Sequence, residues 1–179
     1  PTLIPYQENR PSLNVFDAVI IGAGFSGMYM LYRLLKLKFK VIVLEEATDV
    51  GGTWYWNRYP GARCDGESIE YSYSFSKELE QEWEWNNRYS TQPQILEYAN
   101  HVADRFNLRR HINFNSRVIS AQYNDKLMNW KIETSSDTYI AHYCIMATGS
   151  ISSPNKPDFK GLDSFQGQWY LTGRWPKNE

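Results

Sequence analysis

Two hydrophobic periods alternate along this chain, and the places where one gives way to the other mark its elements. Val15, Val19, Ile20 and Ile21 form a β-branched run that stops at a glycine cluster. Met28, Met30, Leu31, Leu34, Leu35 and Leu37 then recur at helical spacing, so residues 15–37 predict strand, tight turn and helix. A second apolar run, Val41 to Leu44, predicts another strand. Thr91-Gln92-Pro93-Gln94 has the form of a capped helix start, and Ile95, Ala99, Val102, Ala103 and Phe106 supply one apolar face for a helix ending near Asn107. Residues 117–123, 130–134 and 138–141 alternate as short strands of an antiparallel meander, which leads into a separate apolar strand, Tyr143 to Ala147.

Between these regions the pattern is weaker. Gly51-Gly52 and Pro60-Gly61 punctuate a long irregular segment rich in Trp and Tyr, and loops of that kind usually bind something. Tyr71, Tyr73 and Phe75 alternate as a short extended piece, and Lys77 to Trp83 fits a helical turn. Residues 151–179 are rich in Pro and Gly and read as a connector. The sum is an α/β domain with a central parallel sheet and an antiparallel meander.

Composition narrows the chemistry. A formal charge of −1 argues against nucleic acid or a membrane surface as partner. Two widely spaced cysteines, Cys64 and Cys144, fit neither a disulfide frame nor a metal site, so a reducing, cytoplasmic setting is the default. Residues 1–14 lack the basic and apolar regions of a signal peptide and read as an arm.

The glycine cluster, Gly22-Ala23-Gly24-Phe25-Ser26-Gly27, follows a strand and opens a helix. In such a unit Gly22 permits the turn, Gly24 lets backbone approach a pyrophosphate, and Gly27 lets the helix sit close to the sheet. Free N–H groups at the helix start favour the phosphate. Glu45 ends the second strand about 20 residues on, where a carboxylate accepts both ribose hydroxyls of an adenosine and repels a 2′-phosphate. FAD or NAD therefore suits this position better than NADP. Gly149, at the end of the last strand, is expected to face the same crevice as Gly22 and Gly24.

Together with Glu45, the glycine motif, the block G-G-T-W-Y-W-N-R-Y-P-G-A-R-C-D (51–65), the strand end A-T-G (147–149) and the final F-x-G…W-P resemble the N-terminal part of the type I Baeyer–Villiger monooxygenases. The resemblance runs from about Val15 to Pro176 and implies a Rossmann-like FAD-binding domain over 15–150, incomplete here. Residues 151–179 would lead toward an NADPH-binding domain that this chain does not include. The implied activity inserts one oxygen atom of O2 into a ketone, with NADPH as co-substrate, to give an ester or lactone.

By the same resemblance Gly22, Gly24, Ser26 and Gly27 take the pyrophosphate, and Glu45 the ribose. Thr53, Trp54, Tyr55 and Trp56 line the flavin region, Asp65 and Tyr71 lie beside the isoalloxazine, and Val118 touches the adenine side. Arg63, Cys64 and Asp65 border the nicotinamide. Asp65 has the catalytic role, as a buried acid favouring the charged form of an arginine supplied elsewhere in the family. Taken singly, Asp65 also fits a turn cap, Tyr71 strand packing, and the tryptophans a core. One departure is clear: Leu171 stands where the family's fingerprint has histidine, and leucine neither hydrogen-bonds nor titrates. Two other readings remain: a flavin monooxygenase acting on nitrogen or sulfur, and a non-catalytic FAD-binding remnant.

Overall fold

The computed structural model describes residues 14–176; the expected N-terminal arm up to Leu13 and the last three residues of the expected connector lie outside that range. Strand β1 (Asn14–Ile21) is central. It pairs in parallel with β2 (Val41–Leu44) on one side and with β6 (Thr138–Met146) on the other. The full order is β3-β2-β1-β6-β5-β4, with β3 at Ile112–Asn113, β4 at Val118–Asn124 and β5 at Asn129–Thr134. The β3-β2-β1-β6 half is parallel and the β6-β5-β4 half antiparallel.

In two places the strands depart from expectation. Tyr143 to Ala147 is not a strand of its own: β6 runs unbroken from Thr138 and serves both the meander and the parallel half. No turn-forming residue interrupts Ala141-His142-Tyr143, and the eight residues of β1 offer a ladder along nearly the whole of it. Strand β3 has no counterpart in the sequence pattern, because two residues are too few to establish a period.

Helix α1 (Phe25–Lys36) and helix α4 (Gln92–Arg105) lie on one face of the sheet. Met28 and Leu31 from α1, and Ala99 and Ala103 from α4, pack on Ala18, Ile20, Val41 and Val43. Each of these side chains is nearly or fully removed from water, a gain of roughly 0.8 kcal/mol per buried methylene. Leu37, expected to continue the apolar stripe, is exposed, because α1 stops at Lys36 and the chain turns through a left-handed Lys38. On the other face Val19, Ile42 and Leu44 meet Ile132, Tyr139 and Ala141 of the meander.

The start of α4 is where expected, but its cap is different. Thr91 makes no side-chain cap; its backbone forms an isolated antiparallel bridge with Arg63. Gln94, the other half of the expected capping box, is buried and bonds instead to Ser90 Oγ and Glu84 O. The short α3 (Lys77–Glu82) is capped by Ser76 and matches the helical turn expected there. Residues 68–71, by contrast, form a 3-10 turn, so only Tyr73 and Phe75 of the expected extended piece lie outside helical geometry.

Arg109 ties the loop after β2 to α4, with its guanidinium on Asp49, Asp104 and Asn100. Its planar fork serves three acceptors in different directions, which one ammonium group cannot reproduce. Arg109→Lys is expected to lower stability by about 1–2 kcal/mol, read as a shift in urea midpoint at unchanged slope; a midpoint equal to wild type would show the three contacts to be individually worthless.

Candidate functional site

At the carboxyl ends of β1, β2 and β6 the chain leaves a cleft of about 650 Å3. Parallel strands force this placement, since their connections all return over the same edge and the switch in direction beside β1 leaves a gap. One wall is the glycine turn, with Gly22, Gly24, Phe25 and Ser26. Facing it are Gly51, Gly52, Thr53, Trp54 and Trp56. Glu45, Glu46, Ser116, Arg117 and Val118 close one end, and Gly149 to Ser152 follow β6 along the rim.

The turn is built by close approaches. Gly22 has φ +104, and a Cβ there would stand 2.6 Å from the Ala147 carbonyl oxygen. Gly24 has ordinary dihedrals, but its backbone lies against Gly52, whose own Cβ would come to 2.9 Å from Gly24 Cα. Two glycine turns distant in sequence therefore touch, and a hydrogen bond from Gly51 N to Ala23 O (3.1 Å) locks them. Because the residue before α1 is Gly24, no side chain caps that helix, and its first N–H groups have no intrahelical acceptor.

Glu45 is buried and ties the turn to β2. Its Oε2 accepts from Ala23 N at 2.6 Å and its Oε1 from Ala47 N at 2.7 Å. Each carboxylate oxygen has a second lone pair beyond these bonds. Just outside, Arg117 pairs with Glu46 at 2.7 Å, and the Arg174 guanidinium lies over the Trp56 ring at 4.1 Å.

Of the residues singled out by sequence, the structure brings Gly22, Gly24, Ser26, Glu45, Thr53, Trp54, Trp56, Tyr71, Val118 and Gly149 to this one cleft. Gly27 stands behind it, against Gly22 O. Tyr55 does not line it. Residues 53–56 form a single helical turn, α2 (Thr53–Trp56), and at about 100° per residue the third position faces away from the other three. The Tyr55 hydroxyl instead meets Thr48 Oγ1 at 2.6 Å.

Arg63, Cys64 and Asp65 are also outside the cleft wall. Arg63 donates to Tyr89 O, and Cys64 is buried beside Trp54 and Ile95. Asp65, expected to be buried, is exposed. Leu171 precedes the 3-10 turn Thr172–Arg174 and is not among the cleft residues. Sequence reasoning missed Phe25, Glu46, Asn57, Ser116 and Arg117, which also line the cleft. Ser116 and Arg117 had a signal, since one immediately precedes and the other opens a predicted strand.

Tyr71 carries the clearest electrostatic perturbation in the wall. Burial pushes its phenol above the ordinary value, the neighbouring Cys64, Asp65 and Glu70 act in the same direction, and Trp54 opposes them. The group is thus a neutral hydroxyl at neutral pH. Its ring meets both Phe25 and Trp54 edge-on at 5.5 Å, joining the two walls.

Comparison with known proteins agrees with this architecture. The family described as pyridine nucleotide-disulphide oxidoreductase matches residues 19–175. A Baeyer-Villiger monooxygenase of Pseudooceanicola batsensis is 49% identical over 173 residues, covering 95% of this chain and 32% of the relative. A phenazine N-monooxygenase of Lysobacter antibioticus is 45% identical over 163 residues, covering 90% of this chain and 30% of the relative. Among solved structures, cyclohexanone monooxygenase from Rhodococcus sp. Phi1 bound to NADP+ superposes with a TM-score of 0.89 at 45% identity, over 94% of this chain and 32% of that one. The chain thus spans about a third of the length of the curated relatives it matches. With the cleft at the strand ends, the glycine turn and the aromatic loop in place, the chain belongs to the pyridine nucleotide-disulphide oxidoreductase family, and over nearly its whole length it is similar to the N-terminal third of Baeyer–Villiger and related monooxygenases.

Proposed function

We propose that this chain is the FAD-binding portion of a flavin-dependent, NADPH-using Baeyer–Villiger monooxygenase. One observation carries the reading: a glycine turn, a buried carboxylate and a tryptophan-rich loop converge on one cleft. Residues 15–150 are the FAD-binding unit and 151–179 the connector toward the remainder of such an enzyme. Free cysteines at Cys64 and Cys144 suit a reducing, cytoplasmic setting. Among the described residues no helix is long and apolar enough to cross a membrane.

The residues present fit an adenine dinucleotide. The unpaired lone pairs of Glu45 accept ribose hydroxyls, and the first N–H groups of α1 take the pyrophosphate where the helix dipole favours negative charge. Trp54, Trp56 and Tyr71 supply an aromatic, largely apolar wall that suits an isoalloxazine and excludes water. Bound FAD supplies the redox chemistry between NADPH, O2 and the ketone. This chain's contribution is to hold it, orient it and keep its surroundings dry. Arg63, Cys64 and Asp65 lie beyond the cleft wall and face solvent or the loop core, so a role for Asp65 toward a catalytic arginine requires the remainder of the enzyme to close over it.

Titration of the apoprotein with FAD, followed by flavin fluorescence, tests the binding step; protein that is folded by circular dichroism yet stays colourless in excess FAD would refute it. Gly24→Ala sharpens the test. The added methyl meets only the Gly52 backbone, Cα at 3.5 Å and N at 4.0 Å, both ordinary contacts, so the apoprotein should unfold within about 0.5 kcal/mol of wild type. FAD affinity should nevertheless fall about 100-fold or more, because the methyl occupies the approach of the pyrophosphate. Unchanged affinity would place the phosphates elsewhere.

A second reading rests on the phenazine N-monooxygenase, which is nearly as similar over this stretch as the Baeyer-Villiger relative. The FAD-binding portion alone therefore does not separate ketone oxygenation from oxidation of a ring nitrogen. Product analysis with a ketone and with a nitrogen heteroaromatic, using the complete enzyme and NADPH, distinguishes them: ester or lactone supports the first and N-oxide the second.

A further inference from the structure

Tyr73 lies behind the cleft rather than in its wall and is held at both ends. Its backbone N–H donates to Tyr98 Oη on α4 at 2.8 Å, and its own hydroxyl donates to the carbonyl oxygen of Phe25. Its ring is packed between those of Phe25, at 5.5 Å, and Phe75, at 5.1 Å. Burial drives the phenol far above its ordinary value, with Tyr98 acting the same way, so the hydroxyl remains a donor throughout the physiological range.

Phe25 is the first residue of α1 and lies inside the glycine turn. A peptide unit is planar and trans, so a fixed Phe25 carbonyl also fixes the N–H of Ser26 on the opposite side of the same plane. Ser26 lines the cleft. On the other side of the turn, Glu45 holds the N–H of Ala23. The turn is therefore pinned from two directions by residues outside it, one 22 and the other 48 positions away.

We propose that Tyr73 is a positioning residue of the phosphate-binding turn: by holding the Phe25 carbonyl it sets the Ser26 N–H for the pyrophosphate of the dinucleotide. The inference rests on the FAD reading above and adds to it a specific residue that touches no part of the ligand. The Phe25 carbonyl also accepts from the N–H four residues on in its own helix, so the Tyr73 hydroxyl is a second donor, reaching it from outside the helix.

The test is Tyr73→Phe, which removes one oxygen and keeps every ring contact. FAD should bind the apoprotein about 3- to 10-fold more weakly, the range expected for loss of one hydrogen bond's orienting effect. Competition against FAD then locates the loss. ADP, which carries the pyrophosphate, should weaken by the same factor, while riboflavin, which carries none, should compete as it does with wild type. Amide exchange of Ser26 and Gly27 in the apoprotein should quicken while that of α4 does not. FAD affinity within twofold of wild type, or equal weakening of ADP and riboflavin, would overturn the inference and leave the FAD reading standing. Wild-type protein that binds no FAD at all would remove that reading and this one with it.

Discussion

Gly27→Ala is expected to be among the most damaging single methyl groups that can be added to this protein. An alanine Cβ at that position would lie 2.0 Å from the Gly22 carbonyl oxygen and 3.0 Å from its carbon, with Ala147 Cβ at 3.4 Å. The first two neighbours are backbone, and they belong to the strand-to-turn junction that fixes the cleft. Relief requires α1 to lift from β1, which opens the packing of Met28 and Leu31 on Ala18 and Ile20. Overpacking against backbone of this kind costs about 3 kcal/mol or more. Chemical denaturation of the apoprotein should show the loss without reference to any ligand, and wild-type stability would mean that the helix can slide at little cost. Gly24→Ala, three residues earlier, makes the contrast: the same methyl, with room to fit, should spare the fold and spoil the ligand.

Glu45→Gln should cost both stability and cofactor. The carboxylate accepts two backbone N–H groups, from Ala23 and Ala47, one on each oxygen. An amide presents an oxygen to one of them and an NH2 to the other, so one buried donor faces another donor. An unsatisfied buried group costs about 1–3 kcal/mol, and here it sits where β2, the glycine turn and β3 meet. The backbone of Glu45 is itself bracketed by Asn113 O and Ser116 N, so the main chain cannot shift to relieve the mismatch without breaking those bonds. Under the proposed function the ribose also loses an acceptor, and FAD should bind about 100-fold more weakly, the two effects being read separately by apoprotein unfolding and by FAD titration. Stability and affinity both within error of wild type would show that Glu45 is a bystander.

The resemblance read from the sequence carried further than any single motif. Leu171, the one break in the fingerprint, falls beside a 3-10 turn rather than in the cleft, so its effect is to be sought where the tail meets α2. The expected buried acid at position 65 is exposed. A one-dimensional match of the 51–65 block could not separate those of its residues that face the cleft from those that face away, because a single helical turn at 53–56 sends neighbours in opposite directions.

What the sequence by itself determined is the set of local elements marked by an apolar run, an alternation or a helical period: β1, α1, β2, α3, α4, β4 and β5, the glycine turn between the first two, and a carboxylate at the end of β2. Periodicity reports which face of a segment avoids water, and that is settled within the segment. The tertiary structure alone decided what each face meets. It joined Thr138–Ala141 and Tyr143–Met146 into one strand, laid Gly24 on Gly52, buried Tyr55 away from the cleft, and brought the Tyr73 hydroxyl to a carbonyl 48 residues away. Such pairings depend on the summed packing of the whole core, in which no single residue's pattern encodes its partner.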